Sequence, residues 1–219
     1  MNKRINSEVA NAQKQKELKM KNTKEQNFEK ELPEGYRQVL HINAKNASFG
    51  IIFNLIAFAV LAIVMVLAVV SLKIGDRLSA FTISHDHLFI GCLGMVVYMV
   101  LHELVHGAAY KARTKERLTF GLSWSCAFCG VPNIFTYRKT AMIAVVAPFA
   151  LFTLIFIPLL VLTYLTDPAY YLVAALLFGL HFGGCSGDLY VLYLLTFRFK
   201  DKKALMRDTG PEQFFYLPD

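Results

Sequence analysis

Four long apolar stretches separated by polar sequence organise the chain: Phe49 to Leu72, Leu88 to Tyr110, Ala141 to Leu165 and Tyr170 to Phe197. Each reaches the roughly 20 residues that a helix needs to cross a hydrocarbon core about 30 Å thick. The pattern predicts an all-α integral membrane protein with four transmembrane helices. The first and third stretches carry no charge, and Pro148 and Pro158 inside the third are tolerated in a packed membrane helix. The second and fourth hold ionisable residues within apolar sequence, which sets them apart.

The remaining segments read as connections. Residues 1–48 contain ten Lys/Arg and six Asp/Glu with only short apolar runs, the pattern of a solvated tail with weak helical character. Residues 198–219 read as a second tail. In the loop from 111 to 140, Leu118 to Trp124 and Val131 to Tyr137 are rich in β-branched and aromatic residues, with Cys129, Gly130 and Pro132 between them. That pattern predicts a short β-hairpin lying against the membrane domain. No secretory signal is read, because the first long apolar stretch begins near Phe49 and far exceeds a signal h-region.

Composition narrows the class further. The 219 residues are 55% hydrophobic and 18% charged, with a mean hydropathy of +0.42, which argues against a soluble fold. Four Cys exclude a disulfide-stapled module, and the apolar content excludes intrinsic disorder. The tail up to Asn46, the loop from Lys111 to Lys139 and the segment from Arg198 carry ten, six and five Lys/Arg, while the other two connections hold two between them. By the positive-inside rule both termini and the 111–140 loop face the cytoplasm, and the expected location is the cell membrane. The expected partners are the lipid bilayer, whose anionic headgroups the basic tail attracts, and a membrane protein or peptide substrate, with no nucleic acid.

The second stretch contains His102-Glu103-Leu104-Val105-His106, an H-E-x-x-H pattern. Histidines at i and i+4 share a helix face and can bind one Zn²⁺, while the intervening Glu can act on a water held there. Lys111 and Arg113 mark the span boundary, so His106 lies about 7 Å and His102 about 13 Å inside it. Ionisable residues at such depth are expensive and read as functional. A catalytic zinc takes three protein ligands, and elimination selects the third. Ala112 stands where a metzincin would place its last His, Glu116 and Glu212 lie in charged segments, and Asp167 is on the opposite side. Asp188 remains, about 15 Å inside the same face as the His pair. His181, nearly two turns away, is a secondary candidate that reads more simply as a packed histidine. Gly179, Gly183 and Gly187 form a small-residue stripe that lets this helix approach the one carrying the histidines.

The H-E-x-x-H pattern on one membrane helix with an Asp on a later one resembles the site-2 protease class of intramembrane zinc metalloproteases. The four-span layout, His-Glu-Leu-Val-His-Gly at 102–107 and Ser-Gly-Asp-Leu at 186–189 look most like an uncharacterised membrane family of zincin peptidases. The resemblance covers roughly residues 32 to 197. It implies that His102, His106 and Asp188 bind zinc and that Glu103 is the catalytic acid and base. Two features depart from the site-2 pattern: Gly187 precedes the Asp instead of following it, and there is no PDZ-sized insertion. Asn133 in the hairpin loop is the candidate group for binding a substrate backbone.

Other readings compete. Gly184-Cys185-Ser186-Gly187 matches the G-x-S-G signature of rhomboid serine proteases, but no His follows Ser186 to serve as its base. Cys126 and Cys129 form a lone C-x-x-C, read as two small hairpin residues, and His85-Asp86-His87 as a solvated outer loop. A non-catalytic metal sensor or carrier would need the ligands but has no use for Glu103 between them.

Overall fold

Three of the long helices open on a local side-chain cap, in a computed structural model that describes residues 27–123 and 127–219. Helix α1 (Ala47–Ile74) starts after Asn46, whose side chain accepts from the Ser48 N–H. Helix α2 (His85–Thr114) opens on a reciprocal cap between Ser84 and His87. Helix α3 is Arg138–Thr166, and Asp167 then caps α4 (Pro168–Gly184) by accepting from the N–H groups of Ala169 and Tyr170, with Pro168 in the first turn. The chain continues through α5 (Ser186–Tyr193) and a π-helical turn over Leu194–Arg198. Four units, with Pro168–Arg198 counted as one, are long and apolar enough to cross a membrane. Their outward positions, such as Leu55, Phe58, Phe89, Val96 and Leu154, are exposed, as expected of surfaces that lipid covers.

The chain is not all-α. Besides the helices it forms β1 (Phe28–Glu29), β2 (Tyr36–Asn43), β3 (Thr119–Leu122), β4 (Ala127–Gly130), β5 (Phe135–Tyr137), β6 (Leu205–Asp208) and β7 (Glu212–Pro218). Five of these make an antiparallel sheet in the order β1-β5-β6-β7-β2. Segments read from the sequence as tails therefore supply four of its strands. The reason is non-locality: β2 pairs with β7 from Tyr36↔Pro218 to Asn43↔Glu212, so the pattern that stabilises each strand lies some 170 residues away. The loop hairpin also differs from its expected bounds. Thr119 to Leu122 pair with Gly130 to Ala127, while Phe135–Tyr137 joins the larger sheet. Trp124 and Cys126 lie outside the described residues.

One face of the sheet closes one end of the helices. Ile42, Met206 and Phe215 pack with Ala141, Val145, Val191, Leu194 and Leu195 into a single buried cluster. Within the bundle α4 is central and packs against α1, α2 and α3. The glycine stripe serves a different contact from the one expected. A Cβ on Gly179 would stand 2.7 Å from Leu61, and one on Gly183 would stand 2.6 Å from the Ala57 carbonyl oxygen, so both face α1. A Cβ on Gly187 would meet nothing within 4 Å. Where α2 meets α4 the tight position is Gly94, whose Cβ would stand 3.0 Å from the Leu177 side chain.

Candidate metal centre

The fourth unit is interrupted at Cys185, just after Gly183 and Gly184, two residues that weaken a helix. Asp188 follows in the first turn of α5. Its Oδ2 lies 3.2 Å from Nε2 of His102 and 3.2 Å from Nε2 of His106, and the two Nε2 atoms are themselves 3.2 Å apart. Both histidines are buried, at 8% and 7% exposure.

The donor set fits a zinc ion. Bond lengths of about 2.0–2.1 Å in a tetrahedral site place the ligand atoms about 3.3 Å apart, close to the observed triangle. His106 Nδ1 lies 2.9 Å from the Ala144 carbonyl, which can only accept, so this nitrogen carries the proton. In the neutral ring Nε2 then presents its lone pair to the centre of the triangle, the form that a metal takes up.

The Ala144 acceptor has its own cause in the sequence. Residue 148 is proline, so the N–H that would bond the carbonyl of residue 144 in a regular helix does not exist. Pro148 thus leaves in α3 the carbonyl that orients His106.

Around His102 a second chain of contacts runs inward. The Tyr98 hydroxyl is 3.0 Å from Nδ1 of His102 and 3.0 Å from Nδ1 of His181, and Nε2 of His181 is 3.0 Å from Thr153 Oγ1. His181 is fully buried among Phe149, Phe152, Phe156, Phe178 and Phe182. His102, His181 and Cys185 form a second group whose ligand atoms lie within metal-binding reach of one another. The Tyr98 hydroxyl already stands in contact with both imidazoles there.

The His pair, Glu103 and Asp188 line one cavity of about 300 Å³. Its walls come from α1 (Phe49, Phe53, Asn54), α2 (Tyr98, Met99) and the glycines around the α4–α5 break, and Ser186 also reaches it. Its sheet end is formed by Phe128 and Cys129 of β4 and by Asp208, Gly210 and Gln213 of the β6–β7 hairpin. These strands are locked together: Val131 N–H donates to the Asp208 carbonyl at 2.8 Å, and Gly130 lies against the backbone of Thr209 and Gly210 too closely for any Cβ. Asp208 is buried, and burial pushes its carboxyl up to about 6. The Tyr110 hydroxyl donating at 2.7 Å and the Gly210 N–H at 2.9 Å pull the other way. Burial, with the Asp208 and Glu103 charges nearby, pushes the Cys129 thiol up to about 12.

Some candidates from the sequence are not in this cavity. Asn133 is exposed in the turn before β5 and lines a separate depression with Lys30, Glu31 and Arg207. His85 to His87 form the first turn of α2, about 22 Å along the helix from His102. No hydrogen bond joins Ser186 to a histidine among the described residues. Sequence reasoning missed Tyr98, Thr153, the Ala144 carbonyl and Asp208. Tyr98 stands one turn before His102 on the same helix face, and Pro148 announces a free carbonyl at 144, so two of the four left a readable trace. No curated protein and no solved structure matches the chain. Residues 95–203, just under half of the chain and spanning His102, Glu103, His106 and Asp188, match a family described as "Putative zincin peptidase".

Proposed function

We propose that the protein is a membrane-embedded zinc metallopeptidase of the site-2 type, which hydrolyses peptide bonds of membrane-associated substrates near the end of the bundle closed by the sheet. The observation that carries this reading is the triangle of His102 Nε2, His106 Nε2 and Asp188 Oδ2, with Glu103 lining the same cavity. In it, His102, His106 and Asp188 hold zinc. A bound zinc supplies Lewis acidity, which brings the pKa of a coordinated water towards 7 and polarises the scissile carbonyl. Glu103 takes the proton of the attacking water and delivers it to the leaving nitrogen. Ala144 and Tyr98 hold the two imidazoles with their Nε2 atoms turned to the centre. Asp208 and Gln213 give the cavity a polar end towards the sheet, through which water reaches a site otherwise walled by apolar side chains. The basic flanks support a cytoplasmic position for that end.

The cavity volume bears on the form of the substrate. A space of about 300 Å³ lies at the lower end of ligand pockets and is too small for a helix roughly 10 Å across. An extended segment of a few residues fits it, so substrate helices unwind before they are cut.

The test is cleavage of single-span transmembrane peptides reconstituted with the protein in liposomes, with products identified by mass spectrometry. Cleavage that needs zinc, survives in Ser186→Ala and falls roughly 10²- to 10⁴-fold in Glu103→Gln supports the reading. Cleavage at the wild-type rate by Glu103→Gln, or loss in Ser186→Ala alone, contradicts it.

A further inference from the structure

A fully buried histidine inside a membrane bundle calls for an account, because its polar atoms cost free energy unless they are paired. His181 is 0% exposed and belongs to none of the three edges of the metal triangle. Its two ring nitrogens are nonetheless both engaged, Nδ1 by Tyr98 and Nε2 by Thr153. The hydroxyl of Tyr98 is the shared element, since it lies at the same 3.0 Å from His181 and from His102.

We propose that Tyr98, His181 and Thr153 are positioning residues that fix His102 in the tautomer and ring orientation needed to bind the metal. This inference rests on the metal site proposed above. Tyr98 has one hydroxyl proton and two imidazole neighbours, so it donates to one and accepts from the other. In one setting His102 Nδ1–H donates to Tyr98, the Tyr98 O–H donates to His181 Nδ1, and His181 Nε2–H donates to Thr153 Oγ1. This leaves His102 Nε2 bare. In the reverse setting every bond changes direction, and His102 Nε2 carries a proton that blocks a metal. A metal on His102 Nε2 selects the first setting, and the partners of His181 can all serve it. On the α3 side the Thr153 hydroxyl can accept the proton that this setting puts on Nε2. On the α4 side Cys185 Sγ is 3.6 Å from Nδ1, where its thiol adds a weak donor to the Tyr98 hydroxyl.

The arrangement also accounts for the second potential ligand group. His102, His181 and Cys185 stand within metal-binding reach, but each imidazole already uses the nitrogen facing that space on Tyr98. The group is therefore the support of the first site and not a second site. Both histidines of the metal triangle then have the nitrogen away from the metal anchored on α3, His106 directly through Ala144 and His102 through Tyr98 and His181 to Thr153. Metal ligands held by such outer partners lose roughly 10- to 100-fold in metal affinity when the partner is removed.

The experiment is a zinc titration of the detergent-purified full chain against a zinc-chelating dye, paired with the absorption spectrum of the cobalt-loaded protein. Tyr98→Phe and His181→Ala are expected to bind about one zinc per chain with affinity weakened roughly 10- to 100-fold, and with an unchanged cobalt ligand set. Thr153→Val, which keeps the shape and removes the hydroxyl, weakens binding in the same direction, and Thr153→Ser restores it. Cys185→Ala stays within about threefold of wild type, since the thiol is only a weak partner. Wild-type affinity in Tyr98→Phe and Thr153→Val overturns the inference while leaving the metal site intact. A second zinc per chain, or a thiolate band in the cobalt spectrum that Cys185→Ala removes, overturns it by making the group a site of its own. A wild-type chain that binds no zinc fails at the earlier step, and the underlying reading falls with it.

Discussion

Replacing Gly183 with alanine tests the helix packing that holds Asp188 in reach of the histidines. The added Cβ would stand 2.6 Å from the Ala57 carbonyl oxygen, 2.8 Å from the Ala57 Cα and 3.1 Å from its carbonyl carbon. All three are backbone atoms of α1, so no rotamer change relieves them, and α1 must move away from α4 by about 0.5–1 Å to restore ordinary contact. A gap of that size forfeits a quarter to a half of the dispersion energy of each contact along the seam, and overpacking of this kind costs roughly 1–3 kcal/mol. Gly187→Ala is the matched control: nothing lies within 4 Å of its new Cβ, and alanine favours a helix by up to about 1 kcal/mol. Unfolding of both variants in detergent, followed by reaction of the buried thiols of Cys129 and Cys185 with a fluorogenic maleimide during heating, reads the difference directly. Gly183→Ala should melt well below wild type and Gly187→Ala at or slightly above it. Equal midpoints for the two variants would refute the argument that α1 and α4 touch backbone to backbone at this position.

Other groups give independent outcomes. Asp208 has its folded-state carboxyl raised from an ordinary 3.8 to about 6, so the native state holds the proton more tightly than the unfolded chain does. The Asp208 contribution to stability is therefore greatest below about pH 4, falls by about 3 kcal/mol as pH rises through 6 and then levels off. Melting from pH 4 to 7 should show this loss in wild type and a smaller one in Asp208→Asn. Pro148→Ala gives Ala144 an intrahelical partner that competes with His106, so it should lower zinc affinity by less than about tenfold while removing a helix-breaking residue. Pro158→Ala restores a partner only to the carbonyl of the exposed Leu154, so it should leave zinc affinity unchanged in the same titration. The Cys129 thiol, pushed up to about 12, should resist iodoacetamide at pH 8 in the folded protein and react once the protein is unfolded, as read by mass spectrometry of the modified peptides.

The helices and the His pair were legible in the sequence because both signals are local. Length and apolarity mark the four candidate spans, and H-E-x-x-H needs only the spacing of one turn. Asp188 was reached by depth and elimination, which works where a bilayer gives every helix a common ruler. The sheet was missed because its strands are short and half polar. Tyr36–Asn43 finds its partner in Glu212–Pro218, and neither segment carries a pattern strong enough to stand alone. A trace was present in the Gly210-Pro211 step between two short β-prone runs, a turn signal where the backbone of Gly210 has φ +99°. The small-residue stripe showed that α4 packs closely but not on which neighbour, since periodicity fixes a face and leaves its partner open. Tyr98 and His181 join only when α2 and α4 are assembled, so the tyrosine draws no notice and the histidine reads as a packed residue until the fold brings both imidazoles to the same hydroxyl.

The central claim is that His102, His106 and Asp188 form one zinc site, with Glu103 serving catalysis and not binding. Elemental analysis of the detergent-purified protein tests it most directly, comparing wild type with Glu103→Gln, His102→Ala, His106→Ala and Asp188→Ala, each checked for wild-type thermal unfolding in the zinc-free state. The account predicts about one zinc per chain in wild type and in Glu103→Gln, and loss of that zinc in each of the three ligand variants. A folded wild-type chain without zinc, or an Asp188→Ala variant that holds it as tightly as wild type, would contradict it.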